Sequence, residues 1–218
     1  MKLVLFDMDH TLVPADTGTL WSKFLFERGL LSAEKAQERA SFLTAYQNGT
    51  LVVEDAYRFE LGVLQSLDKV ERKQLLTEFF EQKLRPIITQ KAIDAVNKHR
   101  ENGGYLVMIT ATIEEIAAPV ARFFGMDHLI GGRGEVDEAG NYTSKLVLGP
   151  CMGRGKLVHL EDWLTTSGNN PTDYTFYSDS YNDLPLLEQV DVAIAVDPDP
   201  KLLEIAQQNN WDVISFLN

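Results

Sequence analysis

Two carboxylates stand two positions apart, Asp7 and Asp9, directly after the apolar run Lys2-Leu-Val-Leu-Phe6. At the end of a buried strand such a pair is costly unless a cation or hydrogen-bond donors meet it, and a divalent metal ion does so directly. Polar residues close two further apolar runs. Thr110 and Thr112 follow Tyr105-Leu-Val-Met-Ile109, and Ser178, Asp179 and Asp183 follow Tyr174-Thr-Phe-Tyr177. Taken singly, each has a plainer reading. Asp-x-Asp also marks a strand-end turn or a helix cap, Asp179 to Asp183 suits a capped turn before a short helix at Leu184-Pro185, and a lone strand-end Thr is usually structural.

The elements that must position these residues are buried parallel strands. The three runs, together with Val192-Ala-Ile-Ala-Val196 and Asp212-Val-Ile-Ser-Phe216, are near-continuous apolar segments separated mostly by helical stretches. That pattern predicts an α/β fold, an open parallel sheet with helices on both faces. Ligands of such sheets bind outside the carboxyl ends of the strands, so residues far apart in sequence can share one crevice there. Between positions 14 and 85 the pattern changes to four consecutive helices. The first carries Leu20, Trp21, Phe24 and Leu25 and stops at Gly29; the second is capped by Ser32 and ends at Asn48-Gly49. Val53, Tyr57, Leu61 and Leu64 mark the third, and Asp68 with Glu71 forms a capping-box pattern for the fourth. Thr112 with Glu115 repeats that pattern after the second strand, and Glu135 to Thr143 reads as a hairpin around Gly140-Asn141.

The string Asp7-Met-Asp-His-Thr11 behind an apolar strand resembles the first motif of the haloacid dehalogenase superfamily. The family's other motifs follow in order: Thr110 after the second strand, Lys156 in the helical region before the third, and Ser178-Asp-Ser-Tyr-Asn-Asp183 at its end. The resemblance spans the whole chain, and the place of the helical insertion is similar to subfamily IB, which includes phosphoserine phosphatase. It implies a Rossmann-like open parallel sheet, residues 1–13 and 86–218 forming the catalytic core, with residues 14–85 inserted as a helical-bundle cap over the strand ends. Ser178 departs from the Gly found in many relatives. Gly149 to Lys156 is no phosphate-binding P-loop, because Pro150 replaces its first required Gly and Leu157 its Ser or Thr.

The resemblance also implies roles. Asp7 is the nucleophile that becomes transiently phosphorylated, and Asp9 protonates the leaving alkoxide and later deprotonates water. Mg²⁺ is held by Asp7, the main-chain carbonyl of Asp9 and Asp179, with Asp183 holding metal-bound water or reinforcing Asp179. Thr110 donates to a phosphate oxygen, Lys156 neutralises the charge on the transferred group, and Met8, Ala111 and Asn182 contact substrate. In phosphoserine phosphatases a Glu after the first motif holds the substrate amine and a cap Arg its carboxylate. Here Asp16 takes the Glu position and Glu60 the Arg position, with Arg58 nearby. An acidic pair favours an amine without a carboxylate, as in histidinol phosphate. Phosphoserine hydrolysis, phosphotransfer to an acceptor and a phosphate-sensing module are the alternatives.

Bulk properties agree with an enzyme of small metabolites. A formal net charge of -12 opposes nucleic acid, whose binding draws on Lys and Arg. No stretch is apolar for the length of a membrane span, and the single Cys151 can form no internal disulfide, so a cytoplasmic monomer or homodimer is expected. His10, His99, His128 and His159 have no metal-ligand spacing, though His10 is near enough to the motif to contact substrate.

Overall fold

The computed structural model describes residues 1–48 and 50–217 of the chain. Seven strands, β1 (Lys2–Phe6), β2 (Tyr105–Ile113), β3 (His128–Val136), β4 (Tyr142–Val147), β5 (Asp173–Ser178), β6 (Val192–Val196) and β7 (Asp212–Ile214), form one sheet in the order β4-β3-β2-β1-β5-β6-β7. All neighbours pair parallel except β4, which runs antiparallel to β3 at one edge. From β1 the order proceeds outward both ways, to β2 and β3 on one side and β5 to β7 on the other. The crevice at the carboxyl end of β1 is thus the topological switch point.

Period-two alternation sorts the strand residues between two cores. Val4, Phe6, Leu106, Met108 and Val196 face one side, where α5 (Gln90–Glu101) and α6 (Glu114–Phe123) cover them. Leu3, Leu5, Val107, Ile109 and Ala195 face the other, against α7 (Arg154–Ser167), α8 (Leu184–Leu187) and α9 (Pro200–Gln208). Local signals start these helices. Thr89 caps α5, and Asp199 accepts from the amides of Lys201 and Leu202 with Pro200 in the first turn of α9.

Between β1 and β2 come α1 (Thr17–Glu27), α2 (Ala33–Gln47), α3 (Val53–Ser66) and α4 (Lys69–Phe79), close to the predicted spans, followed by a π turn (Phe80–Leu84) and a 3₁₀ turn (Arg85–Ile87). Asp16, Ser32 and Asp68 cap α1, α2 and α4. Gly49, expected at the end of α2, lies outside the described residues. Helices α3 and α4 are fastened to the sheet side. Tyr57 donates its hydroxyl to the Ala111 carbonyl, and Arg72 pairs with Glu115 at 3.0 Å while Tyr142 donates to the same carboxylate at 2.6 Å. Among the described residues no helix is long and apolar enough to cross a membrane.

Several expectations need correction. Strand β2 runs on to Ile113, four residues past the apolar run, and β7 ends at Ile214 because the Phe216 amide turns to the Asp197 carboxylate. Of β3 the sequence marks only Glu135 and Val136, as the start of the expected hairpin, whereas the strand begins at His128; Gly132 and Gly134 within it are small because Tyr57 and Leu61 of α3 lie against them. The hairpin turn is organised by Asp137, which accepts from the Asn141 amide at 2.8 Å. Thr112 does not cap α6: Ile113 holds that position without a side-chain cap, and the Thr112 hydroxyl goes elsewhere.

Candidate active site

The carboxyl ends of β1, β2 and β5 bring Asp7, Asp9, Thr110, Asp179 and Asp183 to one cavity of about 230 Å³, and Lys156 joins them from the first turn of α7. Two glycines make that approach possible. Gly153 takes φ 56, and a Cβ on Gly155 would collide with the Pro150 carbonyl, so α7 can begin tight against the preceding loop.

Lys156 is 2% exposed and donates to Asp7 Oδ1 at 2.8 Å and to Asp183 Oδ2 at 2.6 Å. Burial disfavours its charge, but the two carboxylates outweigh burial and raise its pKa, so the proton stays on the amine. Burial raises the Asp7 carboxyl, with Lys156 opposing. Ser178 donates to Asp183 at 2.6 Å and accepts from the Ser180 amide, which ties the loop together.

Asp9 is held by its neighbours on both oxygens. Thr17 gives Oδ1 its amide at 2.9 Å and its hydroxyl, and Thr112 gives Oδ2 its hydroxyl at 2.7 Å. Burial first, and the charge of Asp16 next, push the Asp9 carboxyl up to about 7 against those hydrogen bonds. A group poised there can hold or release a proton near neutrality.

A divalent cation fits this donor set. Asp7, Asp179 and Asp183 face one another with Lys156 as the cation among them, and burial with the charges of Asp7 and Asp183 pushes Asp179 up to about 8 although Thr11 donates to it at 3.1 Å. That excess of buried negative charge on oxygen ligands is what Mg²⁺ would neutralise. Among the described residues no three such side chains are already gathered as a finished cage, and Lys156 occupies the position between Asp7 and Asp183.

The remaining predicted contacts divide. Ala111 and Asn182 line the cavity, the latter donating to the Tyr46 hydroxyl at 2.7 Å, and His10 lines it as well. Met8 does not: its side chain is fully buried in the core, which leaves its main chain for the role. Asp16 and Glu60 both line the cavity, but not as a bare acidic pair. Arg39 of α2 lies between them, donating to Glu60 Oε1 at 2.8 Å and to Asp16 Oδ1 at 2.9 Å, while Arg58 is exposed and pairs with Asp55. Sequence reasoning misses Arg39 because a lone Arg in a polar helix reads as solvent-facing. Gly18 is the available signal, since any side chain there would collide with the guanidinium. Phe42, Leu43, Leu51, Ile113, Ile116 and Met152 make the rest of the wall largely apolar.

Comparisons with known proteins agree with this geometry. Residues 4–188 match the family of haloacid dehalogenase-like hydrolases. A histidinol-phosphatase of Neisseria meningitidis serogroup C (strain 8013) is 34% identical over 219 residues, covering 99% of each chain. A phosphoserine phosphatase of Mycobacterium tuberculosis (strain H37Rv) is 29% identical over 97% of this chain and 70% of its own. A solved protein of unknown function from Bordetella pertussis Tohama I superposes with a TM-score of 0.92 at 38% identity, covering 99% of both chains. A substrate-bound phosphoserine phosphatase shares the fold, with a TM-score of 0.66 at 19% identity over 99% of this chain and 93% of that one. With the ordered carboxylates, Thr110 and Lys156 in one cavity and a family match over most of its length, the chain belongs to the haloacid dehalogenase-like hydrolases.

Proposed function

We propose that the protein is a Mg²⁺-dependent phosphomonoester hydrolase that works through a phosphorylated Asp7 and acts on a small amine-bearing metabolite, with histidinol phosphate the favoured substrate. The observation that carries the reading is Asp7 held at 2.8 Å by the buried Lys156 in the same cavity as Asp9. Lys156 favours the ionised form of Asp7 against its burial and offers positive charge to the phosphoryl oxygens. Thr110 accepts from the Thr112 amide at 3.1 Å, so its own proton is free for a phosphate oxygen. Asp9 donates to the departing alkoxide and then takes a proton from the water that attacks phospho-Asp7. Mg²⁺, held by Asp7, the Asp9 carbonyl and Asp179 with Asp183 behind, would supply charge neutralisation to the phosphate dianion. Residues 14–85 act as a cap that excludes water from these steps.

Two observations support the substrate class: the full-length likeness to a histidinol-phosphatase, and a specificity wall that carries two carboxylates to one guanidinium beside apolar surface suited to a ring. A second reading, phosphoserine, is favoured by the presence of Arg39 in that wall, since its unused N–H groups can take a carboxylate. Phosphate release from both esters with Mg²⁺, combined with rapid quenching of labelled substrate, tests the proposal. Label on Asp7 and a preference for histidinol phosphate are expected; no phosphate release, or label on another residue, refutes it.

A further inference from the structure

Thr112 stands where a helix cap was expected and serves a carboxylate instead. It is rigidly placed: its amide donates to Thr110 Oγ1 at 3.1 Å, and the next residue, Ile113, pairs with Gly132 of β3. The two oxygens of Asp9 are held from different elements. Oδ1 meets the main-chain N–H of Thr17 at 2.9 Å and the Thr17 hydroxyl, both at the start of α1. Oδ2 meets the Thr112 hydroxyl of β2 at 2.7 Å.

We infer, resting on the reading of Asp9 as acid and base, that Thr112 is a positioning residue whose hydroxyl holds the Asp9 carboxyl in the orientation from which it hands a proton to the leaving alcohol. As the bond from Asp7 to phosphorus forms and the phosphorus–ester oxygen bond breaks, the proton moves from the Asp9 carboxyl to the ester oxygen. Asp9 is left ionised, and the Thr112 hydroxyl remains its partner, able to donate to it.

The test compares an alkyl phosphate, whose alkoxide must be protonated as it leaves, with p-nitrophenyl phosphate, whose phenolate need not be. The kcat/KM ratio covers steps through loss of the alcohol, so hydrolysis of phospho-Asp7 drops out. Thr112→Val should lower kcat/KM for the alkyl ester about tenfold more than for the aryl ester, and Thr112→Ser, which keeps the hydroxyl, should restore the ratio. Equal losses on both esters, as a general loss of folded protein would give, overturn the inference, and so does a Ser variant that behaves like Val. Asp9→Asn separates the two levels. If it too leaves the ratio unchanged, the acid/base reading of Asp9 itself fails; if it shifts the ratio and Thr112→Val does not, only the positioning role fails.

Discussion

Arg39 Nε lies 2.8 Å from Glu60 Oε1 inside the cavity, yet burial outweighs the guanidinium and pushes the Glu60 carboxyl up to about 7. The wall formed by Asp16, Arg39 and Glu60 is therefore close to neutral or singly negative near neutral pH, rather than doubly negative. Replacing both acids, as Asp16→Asn with Glu60→Gln, would leave Arg39 as an unpaired cation, while the amide oxygen introduced in place of the Asp16 carboxylate can still cap α1. Preference for histidinol phosphate over phosphoserine should then fall by about ten- to a hundredfold in kcat/KM, on the order of 1–3 kcal/mol. Paired kinetics on the two esters decide it, and an unchanged ratio removes these residues from substrate recognition.

Lys156 bridges two buried carboxylates, so Thr110→Ala and Lys156→Met should differ in kind. Losing a hydroxyl at the cavity wall costs rate with little stability. Losing Lys156 leaves Asp7 and Asp183 unpaired and should destabilise the fold by about 3–5 kcal/mol, besides abolishing turnover. The folded Lys156 pKa is raised, so its contribution is fully present below the unfolded value and spans the whole neutral range. Asp7 can relieve the variant's strain by taking a proton, and the loss measured by denaturant unfolding should shrink as pH falls. A variant as stable as the parent at about pH 8 would contradict the buried bridge.

The metal prediction follows from the same carboxylates. Folded Asp7 and Asp179 have pKa values raised above those of the unfolded chain, the latter to about 8. The folded state then binds more protons than the unfolded between about pH 4 and 8, so this part of metal-free stability falls as pH rises. Mg²⁺ takes the place of those protons. Millimolar Mg²⁺ should raise the Tm more at about pH 8 than at about pH 6, and chelation should reverse it. Equal shifts at both pH values in calorimetry would count against carboxylate ligands.

Much of this was legible in the sequence where one residue type has one use. Apolar runs closed by Asp or Thr gave the strands and, through sheet topology, the shared crevice; Ser32 and Asp68 marked helix starts that the structure keeps. Legibility ended where a side chain's partner lies far along the chain. Thr112 has the local pattern of a cap but finds Asp9 103 positions away, and Arg39 finds Glu60 across two helices. Most of strand β3 was hidden because its glycines answer to the rings and methyls of α3, not to strand propensity.

Gly132 and Tyr57 give the last prediction. A Cβ at Gly132 would run into the Tyr57 ring, and that ring is no loose end: Tyr57 is 5% exposed and its hydroxyl is spent on the carbonyl of Ala111, the neighbour of Thr110. Gly132→Ala must displace either α3 or the strand, an overpacking penalty of about 1–3 kcal/mol. Because Tyr57 seats α3 against β2 at the residue after Thr110, the displacement should also raise KM. Tyr57→Leu removes the ring and the hydrogen bond, so it should be damaging alone. In the double variant, however, the collision is gone, and the two changes should sum to clearly less than their separate effects, a coupling of about 0.5 kcal/mol or more in a double-mutant cycle. Strictly additive losses in unfolding free energy would mean that Gly132 is small for a reason other than Tyr57.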